Sequence, residues 1–363
     1  MIGESNIQRG RLKGYIFELV VRRWLKINDY KPVMPLGKIE SSSLIRQRRF
    51  SFTEIRGRGC WHQIDVPCDY SNYIPFVNPI RLLVEVKFLS KVVSKEHVRA
   101  FIGVVKDISE NYFVSPHCNG GSGKTKDTFK KIRYNELGVM FSASGFNKEA
   151  EGLAYAHNIQ TVSYKNNPLV DSITSIIKII EEEDLYAEFC LSKNVDTDFK
   201  QAFYSVLQDR LEAAELITRF RARDSISVHI SMLKESMKRI KSVFFGTTPE
   251  GIVLQFFSKA AFPDGLFSDT NDQQCEVYYE GGVTTIVFYM IFRQDAERHR
   301  YYFIPPKPLL DAISFGQNET LFQKARYFTQ VSVVISIAGL KRLVSLNLRD
   351  DWTADIRKPY KAR

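Results

Sequence analysis

The chain has 363 residues, 44% of them hydrophobic and 25% charged, with a formal net charge of +10. That composition excludes collagen-like, low-complexity and disordered classes, and the length allows two or three domains, each with its own core. No apolar run is long enough to span a bilayer and the polar first residues lack a secretory apolar region, so a cytoplasmic protein with no membrane partner is expected.

The five cysteines are scattered and odd in number, which suits free thiols in a reducing compartment. The positive charge is uneven. Residues 1–170 hold 26 Lys+Arg against 15 Asp+Glu, an excess of 11, whereas residues 171–363 hold 25 against 26. A basic first half points to a polyanion partner there and to another task for the second half.

In chain order, Leu12, Tyr15, Ile16, Leu19 and Val20 recur at helical spacing and predict an amphipathic helix over 9–27, with Glu18 inside it. Lys31–Leu36 reads as an edge strand marked by Pro32 and Pro35. The segment 38–58 is basic, with Arg46, Arg48, Arg49, Arg56 and Arg58 interleaved with Phe50 and Phe52. Arginine beside aromatics suits phosphate contact with base stacking; a basic edge hairpin with inward aromatics fits equally.

Two strands follow, Trp61–Pro67 and Arg81–Phe88, separated by a loop-like stretch over 68–80. Period two puts Gln63 and Asp65 on one face of the first strand and His62 on the other. In the second, Leu83, Glu85 and Lys87 share one face, and Leu82, Val84, Val86 and Phe88 the other. Charges inside apolar strands are expensive to bury unless something pairs them; a divalent metal and a phosphate would.

A striped helix over 92–109 comes next, then a polar loop over 115–128. A buried strand spans 138–142, a helix follows through Ala156, and a short strand covers 159–164. A helix over 171–183 ends in an acidic run. Two helices fill 198–242. From Val243 the texture is short, aromatic, β-branched strands.

The run Glu18, Gln63-Ile64-Asp65 and Glu85-Val86-Lys87, with Val98–Gly103, Gly138–Ser142 and Gly145–Ala150 after it, resembles the PD-(D/E)xK nuclease superfamily. It is most similar to the Mrr-like restriction endonuclease branch, over about residues 9–165. Two features differ from the usual pattern. His62-Gln63-Ile64 precedes the Asp in place of a Pro or Gly-rich turn, and Glu85 stands where the Mrr branch often has Gln.

The resemblance implies an α/β restriction-endonuclease-like N-terminal domain, a central mixed sheet flanked by helices, over 1–168. A helical connector would span 169–242, and a β-rich α+β C-terminal domain for recognition, sensing or partner binding would span 243–363. It implies a metal-dependent DNA endonuclease of bacterial restriction or antiphage defence. Asp65, Glu85 and the Val86 carbonyl would hold Mg²⁺, with Mn²⁺ as a substitute, and Lys87 would position water or offset charge. Glu18 would be a supporting acid.

DNA contacts are expected from Gln63, Arg46, Arg48, Arg49, Arg56, Arg58, Lys124 and Lys126, and a homodimer or partner-protein contact through the C-terminal part. Two alternatives stand beside this: a nuclease-fold subunit that binds without cutting, and a nuclease of junctions or RNA. Cys118–Thr125 lacks the first Gly of a P-loop and reads as a polar loop. Cys60, His62 and Cys68, and His117 with Cys118, match no standard zinc spacing and read as ordinary residues.

Overall fold

The computed structural model describes residues 2–33, 45–48, 52–72, 75–111, 134–180, 202–220, 224–263, 265–266, 272–280, 287–307, 309–310, 330–337 and 340–348. It is a mixed α/β protein whose C-terminal part contains a closed seven-stranded barrel.

The first helix, α1, spans Ile2–Ile27 and is longer than its apolar stripe alone suggests. Its Leu12, Ile16, Phe17, Leu19, Val20, Val21, Trp24 and Leu25 are all buried, the continuous face that the helical spacing required. It leads into a five-stranded sheet of order β1-β5-β6-β7-β8. The strands are β1 (Tyr30–Pro32), β5 (Cys68–Tyr70), β6 (Ile80–Lys87), β7 (Asn135–Ser142) and β8 (Gln160–Ser163).

The pairs β1–β5 and β5–β6 are antiparallel, and β6–β7 and β7–β8 are parallel. The parallel steps are crossovers through α2 (Lys95–Ser109) and α3 (Lys148–Ala156), as parallel pairing requires. The stretch 68–80, expected as loop, therefore contains a strand. Only three residues between Pro67 and Ser71 pair, too few to show a period.

The other strands before β5 form a separate antiparallel sheet: β2 (Ile45–Arg48), β3 (Phe52–Arg56) and β4 (Trp61–Ile64). The strand expected over Trp61–Pro67 ends at Ile64, and it belongs to this small sheet and not to the sheet of β6. Residue 65 lies just past the end of β4, where the chain bends out of the small sheet toward β5.

Period two sorts β6 cleanly. Leu82, Val84 and Val86 join the core on the α1 side, and Leu83 joins the core built with α2 and α3. Ile55 and Ile64 of the small sheet also enter that second core. At the end of β7 the chain turns through Gly145, whose φ of 81° suits glycine. Its carbonyl accepts from Ser142 Oγ (3.0 Å) and the Val93 N–H (2.9 Å).

After β8, helix α4 (Val170–Ile179), a helical turn over residues 202–207, α5 (Ala213–Phe220) and α6 (Asp224–Lys238) follow. Ile173, Ile177, Phe203, Leu207, Leu216, Ile226, Ile230 and Leu233 from these segments belong to the same core as α1.

The barrel strands are β9 (Ser242–Thr247), β10 (Val253–Ser258), β11 (Asp272–Glu280), β12 (Val287–Phe292), β13 (Tyr301–Phe303), β14 (Gln330–Ile337) and β15 (Leu340–Leu348). Their order around the barrel is β10-β13-β12-β11-β15-β14-β9. All pairs are antiparallel except β11–β15, where Asp272 lies opposite Ser345. The interior is filled by Phe244, Phe256, Phe292, Tyr301, Phe303, Val331, Val333 and Leu346.

The outward residues Phe257, Val243, Phe245 and Tyr302 pack instead into the α1 core. The Tyr164 hydroxyl donates to Gln255 Oε1 at 2.7 Å across this buried contact. Among the described residues no helix is long and apolar enough to cross a membrane.

Candidate functional site

Asp65 reaches β6 through two hydrogen bonds. The Val66 N–H donates to the Val84 carbonyl (3.2 Å), which draws the bend after β4 alongside the strand. The Val86 N–H then donates to Asp65 Oδ2 at 2.9 Å. That nitrogen lies between Glu85 and Lys87 in the chain, so the Asp65 carboxylate is set against the tract that carries both.

Lys87 Nζ donates to Glu85 Oε1, an ion pair between i and i+2 on one face of β6. Both side chains are about three-quarters buried or more, with 26% and 20% exposed. Burial works to lower the Lys87 pKa, but Glu85, Asp65 and Glu18 act against it and hold the ammonium above its ordinary range.

The structure therefore sets the Asp65 carboxylate against the tract that carries the Glu85–Lys87 pair, with Val86 in the group through its N–H; Glu18 of α1 acts on Lys87 electrostatically. The carboxylate oxygens of Asp65 and Glu85 are hard donors of the kind that suit a divalent cation such as Mg²⁺.

The expected nucleic-acid contacts are more scattered. Gln63 is exposed on β4 opposite Glu54. Arg56 lies with its guanidinium carbon 5.7 Å from the Trp61 ring, directly across the β3–β4 pair. Arg58 is exposed, 3.9 Å from Glu110. Arg46 and Arg48 lie on β2. Arg49, Lys124 and Lys126, and the Cys118–Thr125 loop with them, lie outside the described residues.

No family model matches the chain, and no curated protein matches it. The solved "Crystal Structure of Protein of Unknown Function AF1548" is similar at 13% identity, over 62% of this chain and 96% of that one, with a TM-score of 0.30. A value that low carries no argument about fold or function.

One cluster escaped the sequence reading. Cys60, in the turn before β4, and His62, on that strand, meet Asp107 in the last turn of α2. His62 Nε2 is 2.6 Å from Asp107 Oδ2, and Cys60 Sγ is 3.4 Å from His62 Nε2. Asp107 Oδ1 also accepts the Gly59 N–H at 2.8 Å. The alternation that turned His62 away from Asp65 turned it toward α2. No local spacing announces Asp107, 45 residues further on.

Proposed function

We propose that the protein is a metal-dependent phosphodiester hydrolase acting on DNA, an endonuclease of the PD-(D/E)xK type. The observation that supports this most is the Val86 N–H holding the Asp65 carboxylate beside the Glu85–Lys87 pair. The order of elements from α1 to β8, with the mixed sheet between helices, supports the finer restriction-endonuclease-like reading. The basic first half supports a polyanionic substrate.

Asp65 and Glu85 would hold Mg²⁺, with the Val86 carbonyl as a further ligand. Bound there, the ion would polarise the scissile phosphate and lower the pKa of an attacking water. Lys87 keeps its proton at Nζ and offsets charge developing on the phosphate oxygens. Glu18 would be a supporting acid that holds water. The Val86 N–H fixes the Asp65 carboxylate before substrate arrives, so no reorganisation is needed at that step.

The test uses supercoiled plasmid with Mg²⁺. Wild type is expected to nick or linearise it, and Asp65→Ala and Lys87→Ala to lose about 100-fold or more in rate. Equal cutting by all three proteins would overturn the site assignment. A second reading is a binding subunit that does not cut, favoured by the Glu85–Lys87 ion pair, which also suits a purely structural bridge. Salt-sensitive DNA binding without cutting by any variant would select it. Junction and RNA substrates in the same assay would separate the third reading.

A further inference from the structure

The Cys60–His62–Asp107 cluster offers one ligand atom per residue, and those atoms lie within 4.8 Å of one another. We propose that it is a second metal site, for a borderline transition ion such as Zn²⁺, distinct from the carboxylate site and chemically unlike it. The proposal does not rest on the nuclease reading.

Four observations carry it. First, the donor set is thiolate, imidazole and carboxylate, the set that selects Zn²⁺ or Co²⁺ over Mg²⁺. Two anions and a neutral imidazole balance a divalent charge. Second, the ligand atoms are close to the spacing a metal needs. Metal–ligand arms of about 2.0–2.3 Å bring ligand atoms within about 3–4 Å of one another. Here Sγ to Nε2 is 3.4 Å, and the 2.6 Å Nε2–Oδ2 contact needs to open by about 1 Å.

Third, Asp107 sits where a carboxylate is disfavoured. The C-terminal end of a helix carries partial negative charge. The chain holds it there nonetheless, with the Gly59 N–H on Oδ1 and the Arg58 N–H on its backbone carbonyl. Fourth, Gly57 leaves the room: a Cβ at that position would strike the Asp107 carboxylate and come within 2.9 Å of the His62 ring. Cys60 is exposed, so the cluster is open to ions in solution.

A metal there would clamp the β3–β4 turn to α2, on the strand that leads three residues later to Asp65.

The experiment uses the full chain, stripped with a chelator and titrated with Co²⁺ and then Zn²⁺. Wild type is expected to bind one equivalent of Co²⁺ with a thiolate charge-transfer band, which Zn²⁺ abolishes by displacement. Zn²⁺ is expected to slow alkylation of Cys60, read by peptide mass.

Cys60→Ser, an isosteric change at an exposed position, is expected to lose the band and about 100-fold or more in affinity, because even outer-shell changes cost 10–100-fold. Asp107→Asn keeps an acceptor for Gly59 and is expected to lose affinity likewise. Asp65→Asn is expected to keep the band, which separates this site from the Mg²⁺ site. No band in wild type, a band unchanged in Cys60→Ser, or alkylation of Cys60 at the same rate with and without Zn²⁺ would overturn the proposal.

Discussion

Lys87 is held between opposing influences, and its sign decides how stability depends on pH. Burial alone would release its proton, yet Glu85, Asp65 and Glu18 raise its pKa above the ordinary 10.5. A raised lysine contributes stability that is complete below the unfolded value and is lost only as pH rises through the folded one. Lys87→Met is therefore expected to cost about 1–3 kcal/mol. Urea denaturation should give the same loss at neutral pH and at pH about 9. A loss that fades between those points would show that the ammonium is not the stabilising form.

At this scale the sequence was informative about β6, because two charges inside an apolar strand sort by simple alternation. It was blind to how Asp65 reaches them. The contact runs through a backbone N–H, which no side-chain pattern reports. Cys60, His62 and Asp107 were illegible as a group for a similar reason: Cys60 lies in the turn before β4, His62 on that strand, and Asp107 on a helix that tertiary packing brings over.

Among the barrel strands, β9 and β10 carry aromatics on both faces. Phe244 and Phe256 face the barrel interior, while Phe245 and Phe257 face the α1 core. A strand buried on both faces loses the polar alternation that marks a sheet edge or a solvent face. In β14, by contrast, Ser332 and Val334 are exposed between buried Val331, Val333 and Ile335, and the alternation is kept.

Close approach of elements is set by two glycines. A Cβ on Gly246 would lie 2.5 Å from Val331 Cγ1 and 2.9 Å from Val333 Cγ1, both on stiff side chains within the barrel. On Gly138 it would lie 2.5 Å from Ile159 Cδ1, the free end of a longer chain, and 2.9 Å from Val105 Cγ2. Alanine at either position overpacks the core by about 1–3 kcal/mol. Gly246→Ala is expected to lower the thermal midpoint more than Gly138→Ala; the reverse order would mean that the barrel yields more readily than the α2–β7 contact.

For the molecule as a whole, the surface between barrel and sheet is built like an interior. Trp24 and Phe257 ring centroids are 5.0 Å apart, edge to face, and Tyr164 packs against both. The buried Tyr164 hydroxyl finds its acceptor on β10. Tyr164→Phe leaves Gln255 Oε1 without that donor and is expected to cost about 1–3 kcal/mol. The loss should appear equally when unfolding is followed by far-ultraviolet circular dichroism and by the barrel's own hydrogen exchange. Unequal losses would show that the two parts unfold independently. This long-range seam was not legible in the chain. Barrel closure depends on pairings such as Asp272 with Ser345, and no local period encodes a contact across so many residues.

The seam has a consequence for synthesis. When Tyr164 leaves the ribosome, both early sheets have been made, but the aromatic surface that covers Trp24 and Tyr164 has not. At about 5–20 residues per second, the 93 residues from Tyr164 to Phe257 take roughly 5–20 seconds to follow. Throughout that interval the nascent chain presents a patch of tryptophan, tyrosine and phenylalanine to whatever binds nascent chains. The first half of the protein is thus a client in waiting, completed only when β10 arrives.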